Sequence, residues 1–281
     1  MLLGVIASIL VISASGNVYA ADEAPPAVSN EENVPAATAS RENLLEEGKN
    51  LYYLTPKGRK IKNQWKVIDG DYYYFGADGC AVTGGVTFKN NVIFVFGEDH
   101  KKIRNKANTI VTVGKYSYYL RTNGGRAATG YIIYKDNLYY ASSTGKLYKN
   151  RSRENKYYFT ASGAAKQNTD ALLKIRSMQI VSSITNSKMT QSQKLYACWR
   201  YVVGGNIHYW SYYPNLGASG WQRSMALYTL TNRGGNCYGF ACAFAALAKE
   251  VGYEPYIVYG YVPGSRDGRS DGMTRHCWVQ I

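Results

Sequence analysis

Gly234-Gly235-Asn236-Cys237-Tyr238-Gly239-Phe240, followed by His276-Cys277-Trp278 just before the end of the 281-residue chain, is the stretch from which the second half of the sequence is read. Asn236 is a residue type that caps helices, because its side chain accepts from an otherwise unpaired first-turn N–H. Phe240, Phe244, Leu247 and Val251 then recur at near-helical spacing up to Gly252. Cys237 therefore falls in the first helical turn. Free N–H groups and the positive end of the helix dipole favour a thiolate there, so the expectation is a thiol pKa below its free value of about 8.5. Cys237 is the candidate nucleophile.

After Gly252, Tyr256-Ile257-Val258-Tyr259-Gly260-Tyr261-Val262 is β-branched and aromatic and reads as a strand entering a loop from Pro263 to Gly272. Met273 to Ile281 reads as a second strand. Its period of two sets His276, Trp278 and Gln280 on one face, and Cys277, Val279 and Ile281 on the other. His276 and Cys277 cannot both face one site.

Gly-Asn-Cys-Tyr-Gly-Phe-Ala, a helix ending in Gly-Tyr, a strand, and then His-Cys-Trp resemble the core of the transglutaminase-like superfamily. Ser192 to Val203 resembles the helix that precedes the catalytic one, and Ile207-His208-Tyr209 its short strand-like continuation. The resemblance covers roughly residues 170 to 281. It implies a papain-like α+β domain in which Cys237 attacks a carboxamide carbonyl and His276 acts as general base and then acid, the two roles thiol chemistry requires. The acyl-thioester would pass to an amine, crosslinking proteins, or to water, giving proteolysis or deamidation. The resemblance also places an Asp on the strand after the histidine. The chain ends at Ile281, so this third triad residue is absent from it, the last strands are expected to be missing, and the domain is expected to be incomplete and impaired. Asp267 and Asp271 precede His276 and match no position of the family pattern.

A cysteine near a helix start is, taken alone, more often a small buried core residue. The Gly-x-Cys-x-Gly setting and the later histidine strand favour the functional reading. His208 lacks such support and reads as structural or surface. Cys237, Cys242, His276 and Cys277 form a poor zinc set, because strand alternation divides the last two and the first two are too far apart in sequence. No metal or other cofactor is expected. Five cysteines (Cys80, Cys198, Cys237, Cys242, Cys277) leave at least one thiol unpaired within the chain. The sequence fits a free nucleophile with up to two disulfides, and equally reduced buried thiols.

Leu2 to Ser13 is apolar and Val18-Tyr19-Ala20 has the small-x-Ala form of a signal peptidase site, so residues 1–20 read as a signal peptide cleaved after Ala20. No transmembrane segment is expected after cleavage. Residues 21–47 are rich in Ala, Pro, Ser, Asn and Glu and read as a disordered acidic linker, with seven acidic residues against Arg41. The net charge of the whole chain is +14, so the remainder is strongly basic. An exported basic protein suggests a polyanionic partner such as wall teichoic acid or an anionic membrane surface, and export disfavours nucleic acid.

Residues 48–166 carry an internal repeat: Tyr52-Tyr53 to Gly58, Tyr73-Tyr74 to Gly79, Tyr118-Tyr119 to Gly124, Tyr139-Tyr140 to Gly145, and Tyr157-Tyr158 to Gly163. Phe94-Val95-Phe96 with His100 in place of the glycine makes a sixth, degenerate copy. A period of about 20 residues with aromatic alternation and Asp-Gly, Asn-Gly, Thr-Gly or Ser-Gly turns predicts a solenoid of stacked β-hairpins. These units resemble the cell-wall-binding repeats of Gram-positive surface proteins, related to choline- and glucan-binding repeats. Choline-type copies usually carry Gly-Trp and Trp-Tyr-Tyr, whereas Trp65 is the only Trp here. The implied ligand is therefore an unspecified wall or surface glycan, with Trp65, Tyr74, Tyr119, Tyr140 and Tyr158 as candidate binding residues. Most of the tyrosines are expected in the core.

The expected molecule is multi-domain, a β-hairpin solenoid repeat array followed from residue 167 by an incomplete α+β transglutaminase-like domain. Its expected role is a secreted cell-surface cysteine acyltransferase or peptidase, held on the cell wall and acting on proteins or peptides that carry Gln or another amide. The alternative is a non-catalytic adhesin that binds glycan or peptide.

Overall fold

The computed structural model describes residues 39–281. The signal-peptide expectation and most of the acidic segment lie outside the described residues. The end of that segment departs from expectation: Leu44–Glu47 form a strand, β1, paired with β2 (Asn50–Tyr53), because Leu44 and Leu45 find Tyr53 and Tyr52 across the ladder.

Five more antiparallel hairpins follow. They are β3 (Gln64–Ile68) with β4 (Asp71–Phe75), β5 (Gly84–Thr87) with β6 (Ile93–Phe96), β7 (Thr109–Val113) with β8 (Tyr116–Leu120), β9 (Gly130–Tyr134) with β10 (Asn137–Ala141), and β11 (Arg151–Arg153) with β12 (Tyr157–Phe159). The six units match the six sequence repeats, but the hairpin turns lie elsewhere than the sequence placed them. They precede the tyrosines, at two-residue turns such as Asp69-Gly70 (φ 51° and 80°) and Lys135-Asp136 (φ 47° and 58°). Positive φ at both positions matches the twist of the flanking strands.

The glycines after the tyrosines make a second, tight turn beyond the hairpin. Gly79, Gly145 and Gly163 are left-handed, and each donates its N–H to the carbonyl three residues earlier, at 3.0, 2.9 and 2.9 Å. In the fourth unit the left-handed residue is Gly125, not Gly124; a Cβ there would collide with the Ile103 carbonyl. His100 takes the same conformation (φ 63°) in the degenerate unit. Its ring nitrogens lie within hydrogen-bonding reach of two carbonyls, Nδ1 2.8 Å from that of Ala81 and Nε2 3.1 Å from that of Lys49, and the nitrogen that carries the N–H donates, a bond no glycine offers.

Past this second turn the chain bonds back to an earlier hairpin. Ala81, Lys102, Leu147 and Ala165 donate their N–H groups to the carbonyls of Leu51, Tyr72, Ser117 and Leu138 at 2.7–2.8 Å. A lone two-stranded hairpin is marginal in water. Successive stapling buries Phe75, Phe96, Leu120, Ala141 and Phe159 completely, one from each of the last five hairpins.

Helices α1 (Thr169–Ile184) and α2 (Gln191–Val203) open the C-terminal part, followed by β13 (His208–Tyr209), α3 (Trp221–Asn232), β14 (Gly234–Gly235), α4 (Cys237–Glu250), β15 (Tyr256–Pro263) and β16 (Met273–Gln280). Asn168 caps α1 through the Ala171 N–H, and Thr190 with Gln193 forms a capping box on α2. The sequence reading assigns no element to α3, although Trp221, Met225, Ala226, Thr229 and Leu230 are buried at helical spacing. Ala171 and Ile175 of α1 share a core with Leu138, Tyr157, Phe159 and Ala165, so the helix covers the last hairpins. Its other contacts join α2 and α4 around Leu230, Ala243 and Leu247. Among the described residues no helix is long and apolar enough to cross a membrane.

Candidate active site

α4 begins as its sequence dictates. The Asn236 side chain is 1% exposed and accepts from the Tyr238 N–H at 3.1 Å, which fixes Cys237 as the first helical residue. The approach to it depends on small residues. β13 and β14 pair in parallel, bringing Tyr209 and Trp210 beside Gly234, where a Cβ would lie 2.6 Å from the Trp210 ring. A Cβ at Gly239 would lie 2.5 Å from Thr229 Oγ1.

Antiparallel pairing of β15 with β16 sets His276 opposite Gly260 and Cys277 opposite Tyr259. The alternation read from sequence holds. Cys277 is 3% exposed and packs with Tyr238, Ala241 and Cys242 against α4, with Val279 beside it. His276 is partly buried, its ring stacked on Trp278 at 6.2 Å between centroids. It is Cys277, then, that packs beside the candidate thiol, and its backbone N–H, with those of Tyr238 and Cys237 itself, favours the thiolate. Among the described residues no hydrogen bond joins Cys237 to His276.

Half-burial pushes the Cys237 thiol above its ordinary range, outweighing those three N–H groups and the positive charge of Arg266. The expected lowering is thus reversed in sign. The helix terminus acts in the expected direction, but desolvation of the thiolate is the larger effect. His276 shifts the opposite way: burial first, and then Arg266, lower its pKa below the usual imidazole value. Near neutral pH the pair is therefore a thiol and a neutral imidazole, the starting state for general-base catalysis.

Arg266 is the residue sequence reasoning missed. It lies in the loop between β15 and β16, donates to Tyr209 Oη, and stands over the Tyr209 ring at 4.9 Å. Its charge reaches both Cys237 and His276. Nothing in the local pattern distinguishes it from Arg269, which pairs with Asp271. Asp267 accepts from the Arg275 N–H at 2.7 Å, so both loop carboxylates serve the loop. His208 is exposed.

All five cysteines are free. Burial pushes Cys198 and Cys277 up to about 12 and raises Cys242 further.

The glycan-binding candidates are mostly packed against neighbours. Trp65 lies within 5.0–5.9 Å of Tyr74, Phe88, Phe94 and Phe96. Tyr119 meets Tyr134 at 5.6 Å, and Tyr140 meets Tyr131 and Tyr148 at 5.0 and 4.8 Å. Tyr158 alone of the five is exposed, at 37%, with Lys166 over its ring.

Residues 178–281 match the transglutaminase-like superfamily. This transglutaminase-like stretch runs from within α1 through β16 and holds Cys237 and His276. Residues 63–79, the β3–β4 hairpin and its second turn, match a choline-binding-type cell wall binding repeat. Among curated proteins, glucosyltransferase-S of Streptococcus mutans is 31% identical over 124 residues, 43% of this chain and 8% of its own length. Glucosyltransferase-I of Streptococcus downei is 51% identical over 39 residues, 14% of this chain and 2% of its own. The chain thus spans less than a tenth of either relative. Among solved structures, choline binding protein F of Streptococcus pneumoniae is 21% identical over 44% of this chain and 47% of that one, with a TM-score of 0.22. The modular autolysin LytC of the same organism is 20% identical over 46% of this chain and 28% of its own, with a TM-score of 0.28.

Proposed function

We propose that the protein is a secreted, wall-retained cysteine acyltransferase or peptidase of transglutaminase-like type, with Cys237 as nucleophile and His276 as general base and acid. The observation that carries it is the placing of Cys237 at the capped start of α4, with β16 laid against it so that Cys277 packs beside the thiol. The neutral His276 is in the protonation state a base needs.

In this scheme His276 takes the thiol proton as Sγ bonds to the carbonyl carbon of an amide. The amide C–N bond breaks, and the imidazolium returns the proton to the departing ammonia or amine. The thioester then yields its acyl group to a second amine or to water, again deprotonated by His276. The N–H groups at the start of α4 are suited to the negative charge that develops on the carbonyl oxygen.

The division into modules near residue 167 gives each part a task. A solenoid of stapled hairpins over residues 48–166 holds the protein to the cell wall, which raises the effective concentration of surface substrates around the cysteine. The wall-repeat match over 63–79 supports this part. One observation favours a second reading, a non-catalytic adhesin: the thiol is raised and not hydrogen-bonded to His276 among the described residues. Catalytic hydrogen bonds are often long in apo structures and tighten with substrate.

The test offers a fluorescent primary amine and a glutamine-containing peptide to the protein and to Cys237→Ser. Amine incorporation lost in the variant selects transfer, and ammonia or cleaved peptide without incorporation selects hydrolysis. Neither product, together with peptide binding unaffected by Cys237→Ser, would establish the adhesin reading.

A further inference from the structure

Several rings of the repeat array carry one of the chain's own cations over a face. Lys60 Nζ stands 3.3 Å from the centre of Tyr52, Lys146 Nζ 3.9 Å from that of Tyr116, and the Arg153 guanidinium 3.9 Å from that of Tyr140. An aromatic face binds a quaternary ammonium, or stacks on a sugar, only when it is open. Capped by lysine or arginine, it is closed to both. A ring takes up none of a lysine's three N–H donors, so the capping cation keeps them for oxygen ligands.

Charge agrees, since residues 48–166 hold 21 Lys and Arg against 7 Asp and Glu. One place combines capping, excess charge and space. A groove of about 370 Å³ is lined by Gly84, Gly85, Glu98, Lys115, Tyr116 and Lys146, among others. Lys115 and Lys146 both approach the Tyr116 ring, at 5.3 and 3.9 Å. Among the described residues neither has a carboxylate within 4.0 Å, while Glu98 is engaged by the Gly114 N–H at 2.9 Å. Gly85 lets the Tyr118 ring pack directly on the backbone of the groove wall, for a Cβ there would stand 2.6 Å from that ring.

We infer that this groove binds a phosphodiester group of an anionic wall polymer, held between Lys115 and Lys146, and that the array selects polyanions rather than choline or neutral glucan. The inference rests on the reading of the array as the wall-binding part, and is independent of any chemistry at Cys237.

The experiment passes the whole protein over immobilised inorganic polyphosphate, choline and dextran, and over purified cell walls before and after chemical removal of their phosphate polymers. Expected are retention on polyphosphate and untreated walls, weakened steeply by salt as counterion release requires, and no retention on choline or dextran. Lys115→Gln/Lys146→Gln should weaken polyphosphate binding about tenfold, the loss of roughly 1.4 kcal/mol, with an unchanged far-ultraviolet spectrum. Retention on choline reversed by free choline, or polyphosphate binding indifferent to the double variant, would overturn the groove assignment. Failure to bind any wall preparation would instead remove the anchor reading beneath it.

Discussion

Cys277 packs in one apolar cluster with Cys237, so the strand bearing His276 is set against the start of α4 by its neighbour rather than by the histidine itself. Cys277 packs into the core beneath α4, and His276 takes the other face, beside Trp278. Arg266 then acts on both candidate groups, and its sign is the same for each: a cation favours thiolate and disfavours imidazolium.

Arg266→Gln should therefore raise the pKa of both. His276 would titrate closer to an ordinary imidazole, read from its ring proton resonances across pH, and Cys237 would alkylate more slowly near neutral pH. An unmoved His276 titration would show that the loop does not hold Arg266 near the histidine.

Lys174 and Glu250 form an ion pair at 2.7 Å with side chains 10% and 7% exposed. Lys174 also stands 4.5 Å from the centre of Tyr131, joining α1 to the repeat array as well as to α4. Lys174→Met removes the ion-pair partner of a buried carboxylate and should cost about 3–5 kcal/mol near neutral pH. Burial already holds the Glu250 pKa above the ordinary carboxylate value. A folded pKa above the unfolded one means that the penalty exists above the folded pKa and fades as pH falls through it. Urea titrations should show the variant's deficit shrinking as pH falls from neutrality toward the ordinary carboxylate range. A deficit that does not change with pH would contradict the assignment.

Gly239 sits inside α4, where alanine would gain about 1 kcal/mol of helix propensity. Its Cβ would meet Thr229 Oγ1 at 2.5 Å and Met225 Cε at 3.2 Å, and overpacking of that kind costs about 1–3 kcal/mol. The balance predicts that Gly239→Ala lowers the midpoint of thermal unfolding by a few degrees. A rise would mean that α3 yields at no cost.

Much of this was legible in the sequence because it depends on local signals. Asn236 and the apolar stripe mark α4, alternation divides His276 from Cys277, and five tyrosine pairs with Phe94-Val95-Phe96 mark six hairpins. The hairpin turns were displaced because Asp78-Gly79 carries the same dipeptide signal as Asp69-Gly70, and only backbone pairing tells a hairpin turn from the tight turn after it. The sign of the Cys237 shift was not legible. It weighs dipole against desolvation, and desolvation depends on Trp221, Tyr238 and Cys277 arriving from three elements. Arg266 escaped for the same reason, since its partner Tyr209 is 57 residues away.

The most direct measurement is the labelling rate of each cysteine by a thiol-directed electrophile, located by mass spectrometry between about pH 6 and pH 9. Cys237 is half-buried, whereas Cys198, Cys242 and Cys277 lie in the core with thiols raised to about 12 or beyond. Cys237 should label at least about tenfold faster than those three, with a rate that climbs with pH through the alkaline range, as a raised thiol requires. His276→Gln should slow it near neutral pH. Labelling of Cys237 no faster than that of Cys242 and Cys277, and indifferent to His276→Gln, would contradict its role as nucleophile.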